Sequence, residues 1–316
     1  MNMITQQLDS VWKLYQQQFT CPRPEVSQWL SFASQARGKL LRPQLVLLAG
    51  GICGSITNSH ITGSVITELI HTATLLHDDV IDQAQTRRHQ QAFNSAFNNK
   101  AAIMVGDMVL GRALVLINQL RDFSINAAFA KTLDAVCLGE LTEIANQNQP
   151  ANKDRYFEVI KNKTAMLLSC SCWLGAYISG ANEKICQDYW RFGNDIGMAF
   201  QINDDINDIC QSETKAGKTL GTDIASGNIT LPCIYFLQDN PDKTDWLNQQ
   251  LQNSDPDIRK NVANQLQAAG SIDKAMTKSR QYAQQALDTL ETFNDNEYRQ
   301  VLKQFTHDML KPCFVN

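Results

Sequence analysis

His71-Thr-Ala-Thr-Leu-Leu-His-Asp-Asp-Val-Ile-Asp82, HTATLLHDDVID, carries the apolar period of a helix and then sets three carboxylates within five residues. Upstream, Val65, Ile66, Leu69, Ile70, Ala73, Leu76 and Val80 recur at steps of three and four, which predicts a helix over residues 61–82 with one buried face. Like charges crowded on such a helix repel one another, so the run calls for a compensating partner. Far along the chain, Gly197-Met-Ala-Phe-Gln-Ile-Asn-Asp-Asp-Ile-Asn-Asp208 repeats the pattern, with Ala199, Ile202, Ile206 and Ile209 keeping helical spacing.

A helix turns about 100° per residue, so Asp78, Asp82 and Asp79 fall at roughly 0°, 40° and 100° and share one arc; Asp204, Asp208 and Asp205 share another. Two such helices set face to face would offer six hard oxygen ligands around a gap that repels itself until divalent cations enter. Magnesium fits such a gap, because it takes oxygen ligands, keeps some of its waters and is commonly completed by substrate phosphates. Either cluster alone reads equally well as a solvated helix end; two matching clusters favour a shared site. A calcium loop of the EF-hand kind is disfavoured, since it needs acidic ligands at alternating positions, a central Gly and a terminal Glu.

Further helical periods run over Ala101–Leu120, Ala127–Ala145, Tyr156–Ile178 and Ala263–Phe293, with breaks expected at Gly50-Gly51, Asn146–Lys153, Gly180-Ala-Asn and Lys215–Pro232. Alternating strand patterns are missing. The reading is an all-α, single-domain helical bundle over residues 1–316, joined by connectors too short to separate two domains. With 316 residues and 43% hydrophobic content, the chain can supply a large core. A net charge of −4 gives no reason to expect nucleic acid or an anionic membrane as main partner. The nine cysteines are irregularly spaced and read as reduced core thiols. The first nineteen residues form neither a signal peptide nor a spanning helix, so a cytoplasmic protein is expected.

Cations that suit a diphosphate lie at separate points. Lys39 and Arg42 in RGKLLRP would share one side if that stretch were helical. Arg87 and Arg88 follow the first acidic run, and Lys218 lies after the second. Lys163, followed by Thr164, interrupts an apolar helix, where an amine without a nearby anion is costly. His71 stands two turns before Asp78 on nearly the same face. Singly, each cation is more often a solvated surface charge, and His71 reads equally as a satisfied core residue.

GKLLRP, the two Asp-rich runs, Arg87-Arg88, Gly106-Asp107, Gly139-Glu140, Lys163-Thr-Ala and GMAFQINDD, in this order over roughly residues 35–232, resemble the trans-isoprenyl diphosphate synthases. HTATLLHDDV is most similar to the medium- and long-chain polyprenyl enzymes that make quinone side chains. The resemblance implies the isoprenoid synthase fold, a helical bundle around a central cavity and usually dimeric, and a magnesium-dependent condensation of isopentenyl diphosphate with an allylic diphosphate, the product passing to membrane enzymes. A shorter-chain synthase making about C15–C20 products, a weakly active or regulatory subunit of a heteromer with a small partner, and terpene cyclisation are the alternatives. On this chain the resemblance implies that Asp78, Asp82 and Asp204 bind the metal, supported by Asp79, Asp205 and Asp208. Lys39, Arg42, His71 and Arg88 would hold isopentenyl diphosphate; Arg87, Lys163, Gln201 and Lys218 would hold the allylic diphosphate. The Thr164 hydroxyl and the Gln201 amide would face the developing carbocation.

Three positions depart from the pattern: His89 stands where Gly usually follows Arg-Arg, Asn228 where a lysine is expected, and Glu143 where a Gln is common after Gly-Glu. Small residues at Ala73, Thr74, Thr67 and Gly63 would let a product lengthen past C20, toward a floor at Phe129.

Overall fold

In the computed structural model, residues 2–35, 38–87, 90–147, 149–210, 229–251 and 255–309 are described. The early helices are α1 (Thr5–Gln17), α2 (Pro24–Ser34), α3 (Leu41–Cys53) and α4 (Asn58–Ile81), followed by a short hairpin of β1 (Thr86–Arg87) and β2 (Gln90–Gln91). Then come α5 (Phe93–Ala96), α6 (Asn99–Gln119), α7 (Phe123–Asn146) and α8 (Lys153–Ile160), which runs through a π-turn, Lys161–Ala165, into α9 (Met166–Ile178). The long α10 (Glu183–Cys210) follows, and the C-terminal part holds α11 (Leu231–Asp239), α12 (Thr244–Leu251), α13 (Pro256–Ala268), α14 (Ser271–Glu291) and α15 (Glu297–Met309).

The helix starts have local causes. Asn98, Asp122 and Asn152 each cap a helix by accepting backbone N–H bonds, at 2.8 Å from Ala101, 2.8 and 3.0 Å from Ser124 and Ile125, and 3.0 Å from Arg155. At the start of α4 the Thr57 N–H donates to His60 Nδ1 at 3.0 Å. That leaves the proton on Nε2, which reaches the Gly175 carbonyl at 3.2 Å and ties α4 to α9.

Two central helices are buried nearly all round. In α3 every residue from Pro43 to Ile52 is buried, and in α9 every residue from Met166 to Cys172. They pack closely because a Cβ on Gly175 would meet the Val46 carbonyl at 2.2 Å. This corrects the expected break at Gly50-Gly51: α3 continues through both glycines, whose missing side chains make room for His60 and Tyr298. Two apolar clusters result. The larger is built on α3, α4, α6 and α9; the smaller joins Met198, Ile202 and Ile206 of α10 to Leu231, Ile234 and Leu266. Ile196 of α10 belongs to the first cluster, so one helix serves both cores.

The helix expected over Ala263–Phe293 is two. Gly270, at φ 69°, ends α13 and starts α14, because its left-handed backbone closes one helix and re-aims the chain. The β1–β2 hairpin, with Thr86 opposite Gln91, is consistent with the missing strand patterns, because two residues per strand carry no periodic signal. Fold class is all-α, as expected.

Candidate active site

The π-turn is the centre of the site. A π-turn widens a helix by one residue and re-aims the side chains on it, and this one carries Lys163 and Thr164. Helices approach it from two sides where glycine permits. A Cβ on Gly139 of α7 would meet the Lys163 backbone nitrogen at 2.7 Å, and one on Gly197 of α10 would meet the Ala165 Cα at 2.5 Å. This close packing delivers Glu140 and Glu143 from α7, and Gln201 and Asp205 from α10, to the same turn.

On the α7 side, Lys163 Nζ lies 2.7 Å from Glu140 Oε2 and also contacts Glu143 Oε2. Burial disfavours the charged amine, but Glu143, Glu140 and Asp78 outweigh it and hold Lys163 above the ordinary lysine range. On the α10 side, Thr164 Oγ1 donates to Gln201 Oε1 at 2.7 Å, and Gln201 Nε2 donates to Asp205 Oδ1 at 2.8 Å. Tyr156, from α8, donates to Asp205 Oδ2 at 2.6 Å. A continuous relay of neutral donors therefore orients the second acidic run.

The first run is wired differently. Burial pushes the Asp78 carboxyl up to about 7; Lys163 opposes the shift, Glu140 adds to it, Arg87 opposes it and Asp82 adds to it. Asp79 is 3% exposed and forms an ion pair with Arg87 of the hairpin. Asp82 caps the C-terminal end of α4, where the helix dipole is negative and a further carboxylate raises the local demand for cations. One residue before Asp78, His77 lies over Gly106, where a Cβ would meet its Nε2 at 2.3 Å, and it reaches Asp107 at 3.3 Å. The Gly106-Asp107 pair thereby locks α4 against α6 beside the acidic run.

The six aspartates are not equivalent. Asp78, Asp82 and Asp204 are partly exposed, whereas Asp79, Asp205 and Asp208 are 3%, 4% and 6% exposed, the first two engaged by Arg87 and by Tyr156 with Gln201. Among the described residues, no three acidic, imidazole or thiol side chains converge closely enough to hold a metal by themselves. An all-oxygen set of partly exposed carboxylates at the end of a helix suits a hard divalent cation whose remaining ligands are water and phosphate. The high proton affinity of Asp78 comes first from its burial, with Glu140 and Asp82 adding to it.

The other candidates divide. Arg42 lies in the first turn of α3, but Lys39 precedes the helix, with Leu40 at φ 50°, so the two do not share a helical face as the conditional reading required. Both do stand at the N-terminal end of α3, where a helix favours anions. His71 is half-buried on α4. Arg88, Lys218, His89 and Asn228 lie outside the described residues. Gly63 does not open a channel: a Cβ there would meet Leu174 at 2.8 Å, so this glycine serves the packing of α4 on α9. Thr67 is fully buried and bonds the Ser64 carbonyl within its own helix, Ala73 is 2% exposed, and Phe129 is buried in the larger core. Tyr156 was invisible in the sequence as a site residue. Its only trace was a tyrosine about two turns before Lys163, which helical spacing does not distinguish from a core residue.

Residues 23–268 match the family model described as polyprenyl synthetase. Heptaprenyl diphosphate synthase component 2 of Bacillus subtilis is 36% identical over 82% of this chain and 74% of its own length. Octaprenyl diphosphate synthase of Haemophilus influenzae is 33% identical, with coverages of 88% and 86%. Among solved structures, a geranylgeranyl pyrophosphate synthase from Corynebacterium glutamicum in complex with calcium and isoprenyl diphosphate superposes with a TM-score of 0.83 at 28% identity, covering 97% of this chain and 95% of that one.

Proposed function

The chain belongs to the polyprenyl synthetase family and is a prenyltransferase, and on that premise we propose that it condenses isopentenyl diphosphate onto an allylic diphosphate, farnesyl or geranylgeranyl, to give a medium- or long-chain all-trans polyprenyl diphosphate for a quinone side chain. The observation that carries the chemistry is the π-turn: it sets Lys163 and Thr164 between Asp78, whose protonation Lys163 influences, and the Gln201–Asp205 pair.

Asp78, Asp82 and Asp204 would hold magnesium, with Asp79, Asp205 and Asp208 as support, and the ion would neutralise charge on the leaving diphosphate. Lys163, Gln201, Arg87 and Lys218 would hold the allylic diphosphate; Lys39, Arg42, His71 and Arg88 the isopentenyl diphosphate. As the allylic C1–O bond breaks, pyrophosphate departs with the bonding pair. The Thr164 and Gln201 oxygens would face the carbocation while the apolar wall keeps water away. The double bond of isopentenyl diphosphate then attacks C1, and the proton lost in re-forming an alkene passes to pyrophosphate. No protein nucleophile takes part.

α6 and α7 leave Ile103, Met104, Met108, Val115, Leu138 and Leu141 exposed, an apolar surface that supports assembly with a second copy. The component 2 name of the Bacillus relative supports the alternative of a small unlike partner. We take residues 1–316 as one cytoplasmic domain. The test is incubation of the purified chain with magnesium, isopentenyl diphosphate and farnesyl diphosphate, with and without chelator, followed by sizing of the products. Magnesium-dependent products longer than C20 are expected; products of C20 or shorter would move the reading to the short-chain class. Activity restored only by a second subunit would replace the homodimer. Phe129→Ala is expected to lengthen the product, and an unchanged distribution would remove that residue as the floor.

A further inference from the structure

Lys163 is expected to meet an anionic substrate, yet its ammonium already faces two carboxylates. Glu140 and Glu143 are one turn apart on α7 and take two of the three N–H donors that a lysine offers. Their side chains are 15% and 22% exposed and that of Lys163 28%, so solvent screens the cluster less than it would a surface pair. One cation with two anions leaves net −1 where a diphosphate must enter. A Gln at position 143 would leave one carboxylate paired with the one ammonium and remove that net negative charge.

The second ion pair is not needed to dock α7 on the π-turn. Gly139 already sets that approach by backbone contact with Lys163 and Asn162, and the Glu140 pair spans the same two elements.

We infer that Glu143 is a positioning residue that holds the Lys163 ammonium in a carboxylate clamp and so sets the affinity of the site for the allylic diphosphate. On binding, a diphosphate oxygen takes the place of the Glu143 carboxylate on Nζ, and Glu143 turns to solvent. Weak binding before metal and substrate assemble, and easier release of the pyrophosphate product, follow from the same exchange. The inference rests on the prenyl-transfer reading of the site.

Glu143→Gln, nearly isosteric and neutral, tests it. Calorimetric titration with inorganic pyrophosphate in excess magnesium is expected to show about tenfold tighter binding, equal to about 1.4 kcal/mol. In steady state KM for the allylic diphosphate is expected to fall while KM for isopentenyl diphosphate stays within twofold. Glu143→Asp, which keeps the charge on a shorter reach, is expected between the two. The same substitution in a Lys163→Met background is expected to change pyrophosphate affinity less than about twofold, because the clamp has lost its ligand. Wild-type binding with no gain from Glu143→Gln, or an equal gain without Lys163, would overturn the clamp and leave the prenyl-transfer reading standing. A wild-type chain that binds no magnesium pyrophosphate and turns over no substrate would overturn both.

Discussion

The second aspartate of each acidic run is buried, but the two are satisfied by opposite means. Asp79 in α4 takes the guanidinium of Arg87 from the hairpin, a full charge pair. Asp205 in α10 takes the Tyr156 hydroxyl and the Gln201 amide, both neutral. A charge pair tolerates variation in angle but depends on salt and on the desolvation of both partners, whereas hydrogen bonds from neutral donors are directional and screened little. The α4 run is therefore held by electrostatics at its end and the α10 run by geometry along its side. The same five-residue pattern thus supports two different kinds of anchorage, and the relay through Thr164 exists only on the second.

The strongest way to break the comparison is to remove one outer aspartate from each run. Asp78→Ala and Asp204→Ala are each expected to lower kcat/KM at least about 100-fold, since both would stabilise the same leaving group. A loss confined to one of them in a steady-state assay would separate the runs functionally. Arg87→Ala comes next. It leaves a buried carboxylate without its cation, and because Arg87 is itself 33% exposed the expected loss is about 2–3 kcal/mol, below that for a fully buried pair. Denaturant titration would read it, and Asp79→Asn added to Arg87→Ala is expected to recover part of it.

Tyr156→Phe is expected to cost less, about 1–2 kcal/mol, because Gln201 still serves the other oxygen of Asp205. The Arg87 contribution should shrink between low and high salt while the Tyr156 contribution holds; equal salt dependence would erase the distinction drawn here. The last effect concerns pH. The native Asp78 carboxyl keeps its proton up to about 7, while in the unfolded chain it releases it near 3.8. Between those values the native state binds the extra proton, so stability of the metal-free protein should fall as pH rises from about 4 to about 7 and then level off. In chelator this reads as a melting-temperature decline of a few degrees, flattened by Asp78→Asn; a decline unchanged by that substitution would assign it to other carboxylates.

Much of this was legible along the chain. The periods of α4, α6, α7 and α10 are carried by apolar residues whose spacing a linear reading detects, and the two acidic runs interrupt those periods conspicuously. Other features were not, for reasons visible at particular residues. Gly50 and Gly51 read as a break, but tertiary contacts with His60 and Tyr298 use their missing side chains and keep the helix intact. Gly63 read as an opening and is a packing contact with Leu174. Lys39 and Arg42 read as one face until Leu40 turned left-handed between them.

The sequence by itself determined the all-helical class and the two carboxylate runs, because residue type and helical period are local properties; the grouping of Lys163, Thr164 and Gln201 came from the resemblance to a family. Only the tertiary structure decided which aspartates stay accessible, that Lys163 is clamped by Glu140 and Glu143, and that Tyr156 and Arg87 serve the buried ones. Those assignments depend on which helix approaches which, and at Gly139, Gly193 and Gly197 that approach is set by backbone contacts to distant residues.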